Sequence, residues 1–219
     1  MKISFKYIIF ALSLGTSVLS TTAHAQSMEL KVTGTIKPSS CDVDLVGGAK
    51  FDLGKIKAED LNSNARTPLT ALSKTINITC DSPTKIAFSA IDNKSESVPY
   101  EYEIETPARF GLGKTTGDKK IGFYNITFKD VTLDTTDVDH YIHSGDNGTS
   151  WIAGTGGDRG YARTDRWISF AATSADQPAE IESLSGQLSI EPTIVRSTDL
   201  PQDDVITLEG SATLELRYL

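Results

Sequence analysis

The chain has 219 residues, with 21 basic against 29 acidic side chains and a formal net charge of −8. That acidic balance argues against nucleic acid and anionic lipid as partners. The length suits one generous domain and is marginal for two, and two cysteines allow one disulfide at most.

Residues 1–25 read as a secretory signal peptide. Lys2 and Lys6 give the positive start, Tyr7 to Leu14 give a short apolar run, and Ala23-His24-Ala25 is an A-x-A cleavage site. The apolar run is too short for a membrane anchor. Cleavage would make Gln26 the first residue and, with two lysines gone, leave the remainder more acidic still.

Met28, Leu30 and Val32 then alternate with polar residues until Gly34. Alternation at period two marks a strand with one apolar face. It resumes after Cys41 at Val43 and Leu45, turns at Gly47-Gly48, and returns briefly at Phe51 and Leu53. Residues 57–68 are polar and irregular, with one helical turn. Thr75 to Cys80 is a strongly β-prone run, Asp81-Ser82-Pro83 interrupts it, and Lys85 to Ile91 resumes it. Further strands are expected at 109–113 and 121–131, joined through a Gly117-Asp118 turn, and at 167–171, 180–190 and 205–219. Residues 134–166 show no period and read as a long loop or inserted hairpin. No window holds a helical period, so the pattern is that of an all-β sandwich.

Cys41 and Cys80 are an even pair in an exported chain, which favours a disulfide. The closed loop of about 40 residues is worth about 4 kcal/mol in the chain-entropy account. Neither a Cys-x-x-Cys motif nor a nearby histidine supports a metal site or a reactive thiol.

Three stretches invite chemistry. Gly111-Leu112-Gly113-Lys114-Thr115 resembles a phosphate loop, but Ala108 stands where the first glycine belongs and no helix follows. Asp137, Asp139, His140, His143 and Asp146 are hard-ligand types without a known metal spacing. Trp151, Tyr161 and Trp167, beside Arg159, Arg163 and Arg166, could bind a ligand, or could be core aromatics beside surface arginines. With no nucleophile-and-base pattern, the chain is expected to be no enzyme, to need no cofactor and to hold no metal.

Gly34 to Cys41 (GTIKPSSC), Asp52-Leu53-Gly54, Ile78-Thr79-Cys80-Asp81 and the alternating end with Tyr218 second from last together resemble the chaperone–usher fimbrial subunits of Gram-negative bacteria. The resemblance is to a fimbrial-like branch with longer subunits. It implies an incomplete immunoglobulin-like sandwich over 38–219, completed by a donated strand, and an N-terminal donor extension over 26–37. A periplasmic chaperone would lend the missing strand. At the outer-membrane usher, the extension of a neighbouring subunit would replace it, by β-augmentation. Carried over, Leu214, Leu216 and Tyr218 border the acceptor groove and Leu219 carries an anchored carboxylate. Met28, Leu30, Val32 and Ile36 are the donor residues. The expected role is a structural subunit at the cell surface. The short arm and the aromatic loop give the alternative, a tip or minor subunit that binds a host glycan or protein.

Overall fold

The strands follow from runs of alternating or β-branched residues between glycine and aspartate turns. A computed structural model describes residues 39–100, 106–138, 140–154, 160–171 and 177–219, with Lys31 and Thr33. The signal peptide and the donor residues Met28, Leu30, Val32 and Ile36 lie outside the described residues, as do Asp139 and Arg159. Residues 1–37 separate from the unit Pro38–Leu219, and the unit from 38 onward is the one described.

Eleven strands are present among the described residues: β1 (Cys41–Leu45), β2 (Thr67–Pro68), β3 (Leu72–Asp92), β4 (Phe110–Gly111), β5 (Gly122–Leu133), β6 (Thr136–Val138), β7 (Tyr141–Ser144), β8 (Ile152–Ala153), β9 (Trp167–Phe170), β10 (Glu180–Ile194) and β11 (Ala212–Tyr218). The other regular elements among the described residues are 3-10 turns, one of them at Ala58–Asp60 inside the expected irregular stretch. All strand pairings are antiparallel.

The sheet curls into two halves. In the first, β1 pairs β3, β3 pairs β10, and β10 pairs β5, which carries β4 and β6; β2 adds to β10. In the second, β11 and β9 pair the far end of β3, and β7 and β8 follow β9. The halves meet through aromatic rings. Phe88 of the second half lies 4.9 Å from Phe128 of the first, and Phe170 stands edge-on to both at 6.3 and 5.7 Å. Ile76, Ile78, Phe110, Ile121 and Leu184 complete a core buried on all sides. This is the architecture of an immunoglobulin-like sandwich.

Four expectations need correction. Asp81-Ser82-Pro83 does not interrupt the strand, since β3 runs on from one half into the other. The β10 ladder steps from Thr84 directly to Thr79, a bulge that asks nothing of the three exposed residues between. Proline is tolerated there because no ladder bond needs its missing N–H. Residues 134–166 are more than an appended loop. β6 extends the first half, and β7 pairs β9 over its whole length as a regular strand of the second.

Phe51 and Leu53 form no strand. The Lys74 ammonium collects the carbonyls of Gly47, Gly48 and Lys50 and sits 5.1 Å over the Phe51 ring. It thus satisfies the carbonyls of the turn that leads into Phe51. Lastly, the final strand begins at Ala212 rather than Val205. Ile206 and Leu208 still pack on the core, and the Glu209 amide donates to Leu112 O at 2.9 Å. Gly210 lies against the Tyr124 ring and the Gly111 carbonyl, where a Cβ would collide.

Candidate functional site

The alternation of β11 splits its residues by face. Ala212, Leu214 and Leu216 pack on the core, while Thr213 and Arg217 stand exposed. The register runs from Ala212 opposite Asp92 to Tyr218 opposite Ile86, and the Leu219 amide continues it by donating to Lys85 O at 3.0 Å. Among the described residues β3 is the sole strand partner of β11, so one backbone edge of β11 has no ladder. β1 likewise pairs β3 alone, with Cys41 opposite Cys80 and Leu45 opposite Ile76.

Cys41 and Cys80 are joined by the expected disulfide, Cα atoms 4.0 Å apart. The Cys41 amide donates to the Tyr218 hydroxyl at 2.8 Å, so the end of β11 is tied to the start of β1. Ile206, Leu208, Ala212, Leu214 and Leu216, with Cys41 and Leu45, all touch the main core yet remain only half-buried. Val43, Val46, Tyr218 and Leu219 keep 44 to 52% of their surface in water. The result is an apolar row continuous with the core beside an unpaired backbone edge. Such an edge is a template for another strand.

The aromatic loop is arranged differently. Trp151 is buried, and its indole N–H donates to Gly148 O at 3.1 Å. With Ala87, Ile142 and Ala171, and half-buried Trp167, it forms a small second core. Ala87 has the opposite parity to Ile86 and Phe88, so this cluster covers the outer face of the second half. The Trp167 ring lies 4.4 Å beneath the Arg217 guanidinium. Tyr161 is half-buried and bridges Thr127. Arg163 and Arg166 share the Asp165 carboxylate, with Arg163 Nε at 2.8 Å and Arg166 at 3.3 Å. Burial works to raise the Asp165 pKa, but the hydrogen bonds and charges of the two arginines hold it below the usual carboxylate value.

The acidic residues and histidines of the same region do not converge, and no group of three metal-ligating side chains occurs among the described residues. Asp137 accepts from Thr132 at 2.8 Å. Asp146 closes its own turn, accepting from the Ser150 hydroxyl and amide and from Ser144. Those bonds, the Ser150 hydroxyl first, hold its pKa at about 2. Burial, then the charges of Arg166 and Arg163, lower the pKa of His143. In the glycine-rich stretch, Gly111 and Gly113 donate to Asp92 and Ser97. These are packing contacts rather than an anion cradle.

Residues 30–106 match a family described as "Protein of unknown function (DUF1120)". The match takes in both cysteines and β1 to β3. The chain is also similar to Protein GltF of Escherichia coli (strain K12), 26% identical over 226 aligned positions that cover 87% of this chain and 88% of that protein. Uncharacterized protein YhcF of the same strain is 26% identical over 226 positions, 88% of this chain and 90% of its own length. These likenesses run nearly end to end. They are compatible with the fimbrial resemblance without being specific to it.

The Tyr218 tie to Cys41 was not foreseen from sequence, nor was a small cavity of about 30 Å³ lined by Tyr141, His143, Tyr161, Arg163 and Arg166. The signal for the second was the spacing of Arg163 and Arg166 around Asp165. For the first there was no sequence signal, because Tyr218 and Cys41 are 177 positions apart.

Proposed function

We propose that this chain is a structural subunit of a surface fibre, assembled by strand donation on the chaperone–usher route. In this reading the unladdered edge of β11 and the half-buried row from Ile206 to Leu216 accept a strand. A periplasmic chaperone supplies it first. The N-terminal extension of a neighbouring subunit takes its place at the outer-membrane usher, and the chain's own Met28, Leu30, Val32 and Ile36 serve the next subunit.

The observation that carries the reading is the pairing of an unladdered edge with a core row left half in water. Completing the burial of each large apolar residue in that row is worth about 1 kcal/mol, roughly half the full value for such a side chain. Main-chain bonds along β11 add to that gain and set the direction of entry.

The test is periplasmic expression of residues 26–219 with and without a matching fimbrial chaperone, read as soluble yield and as a one-to-one complex on gel filtration. The expected result is stable protein only with the chaperone. A lone chain that is soluble, monomeric and cooperatively folded would show the sandwich to be self-sufficient and would end this reading.

A further inference from the structure

Among the described residues β11 has a ladder on one side only, and its core-facing residues stay half in water. A strand held so lightly is expected to open locally. Its 217–219 end is nevertheless fastened on both faces. On the core-facing side the Tyr218 hydroxyl accepts from the Cys41 amide at 2.8 Å. On the outer side the fastening comes from β9 and from the turn at 145–151, between β7 and β8.

Alternation puts Arg217 and Leu219 on the face opposite to Leu214 and Leu216. The register sets Arg217 against Ala87, a member of the second core, and Trp167 against Ser144. The Arg217 guanidinium lies 4.4 Å over the Trp167 ring, while its ion pair with Glu215 is long, at 3.8 Å. A cation over an indole face is attractive even at an exposed site. Gly148 fills the space between the Trp167 ring and the Leu219 side chain. A Cβ on it would stand 3.0 Å from Trp167 Cζ3 and 3.3 Å from Leu219 Cδ2, and its φ of +87° is one that favours glycine.

The turn that carries Gly148 is itself pinned. The Gly148 amide donates to Ser144 Oγ at 2.8 Å, the Gly148 carbonyl accepts from the Trp151 indole at 3.1 Å, and Ser144 Oγ donates to Asp146 at 2.7 Å. Ser144 and Trp151 are both buried. The backbone against which Leu219 lies is thus fixed by groups that solvent does not reach.

We propose that the 145–151 turn and Trp167 form a positioning device for the accepting strand. They hold the 217–219 end of β11 in register from the outer face, so its free edge is preset when a strand arrives. Gly148, Trp167 and Arg217 are the positioning residues, and they act through β11 rather than on the arriving strand. Presetting an edge removes part of the ordering cost of pairing with it. The brace stands independently of strand donation; its effect on assembly rests on that reading.

The experiment is amide exchange on residues 26–219, alone or in the chaperone complex, whichever purifies, with the rate of chaperone release measured beside it. The Arg217 and Leu219 amides face β3 in the ladder and report on the brace. Gly148→Ala and Arg217→Gln are each expected to raise exchange at these two amides several-fold and to quicken chaperone release. The ladder between β10 and β5 should stay protected. Arg217→Lys, which keeps a cation over the ring, should stay close to the unchanged chain, as should Ile152→Ser, whose site on β8 is exposed. Unchanged exchange at Arg217 and Leu219 in folded Arg217→Gln overturns the brace, even where Gly148→Ala fails to fold. A rise spread equally over β10 and β5 makes these contacts general stabilisers and overturns the positioning role. So does faster exchange at the two amides with unaltered chaperone release. If even the unchanged chain forms no chaperone complex, strand donation fails, and the brace is judged on exchange alone.

Discussion

Asp146 shows how a residue with the chemistry of a ligand is used up by its own turn. Its carboxylate takes the Ser150 amide at 2.9 Å, the Ser150 hydroxyl at 2.6 Å and the Ser144 hydroxyl at 2.7 Å. A carboxylate stabilised this way has a folded pKa, about 2, below its ordinary value of 3.8. Its contribution is therefore present above pH 4 and is lost as pH falls toward 2. Trp151 bonds to Gly148 within the same loop and reports on it. The emission of Trp151 is expected to change between pH 4 and pH 2, and in Asp146→Asn to be already altered at pH 7. An unaltered emission in the variant at neutral pH would sink this account. Trp151 itself belongs to the second core. Trp151→Ala is expected to destabilise the protein by about 3 kcal/mol or more, measured by urea unfolding. A value within 0.5 kcal/mol of zero, typical of a surface site, would contradict its burial. Sequence alone could not separate these roles, because a tryptophan in a glycine-rich loop looks the same whether it faces solvent or folds back onto a sheet.

At the level of elements, most strands were legible because alternation of apolar side chains is a property of consecutive residues. β5, β9, β10 and the Cys41–Leu45 strand all lie where the pattern puts them. What failed depended on contacts distant in sequence. The passage through Pro83 is allowed because β3 bulges against β10, a partner about 100 residues away. At Phe51, where no strand forms, Lys74 sits over the ring and holds the carbonyls of the preceding turn. The N-terminal limit of β11 reflects Gly210 held against Tyr124. The two faces of β11 give a test that uses parity alone. Leu214→Asp puts a charge in the half-buried row, whereas Thr213→Asp puts one in water. Leu214→Asp is expected to abolish the soluble chaperone complex in the periplasm, and Thr213→Asp to leave its yield nearly unchanged, since exposed substitutions usually fall within about 0.5 kcal/mol. Equal yields from the two variants would remove the apolar row from the acceptor reading.

For the whole molecule, the question is how β1 is held to the sandwich. Among the described residues β1 pairs only with β3, over five residues. Asp42, Val43 and Asp44 of that strand are exposed, so little apolar burial holds it down. Its anchors are the Cys41–Cys80 disulfide, the half-buried side chains of Cys41 and Leu45, and the bond from the Cys41 amide to Tyr218. The cysteine pair was legible from compartment and count. That the bond fastens a weak wall required the register. The disulfide closes a loop of 39 residues and is worth about 4 kcal/mol in the chain-entropy account, as much as a five-residue edge ladder supplies at about 1 kcal/mol per bond. Local opening follows local stability. Replacing both cysteines by serine is therefore expected to free β1 before the rest unfolds. Amide exchange at residues 41–45 should rise steeply while the buried ladder between β10 and β5 stays protected. Tyr218→Phe, which removes one hydrogen bond worth about 1 kcal/mol, should raise exchange at Cys41 alone. If exchange rises together across β1, β10 and β5 in the double serine variant, the disulfide stabilises the sandwich as a unit, and β1 is no separately fastened wall. If it rises in β1 alone, the covalent bond fastens β1 to β3 independently of the rest of the sandwich.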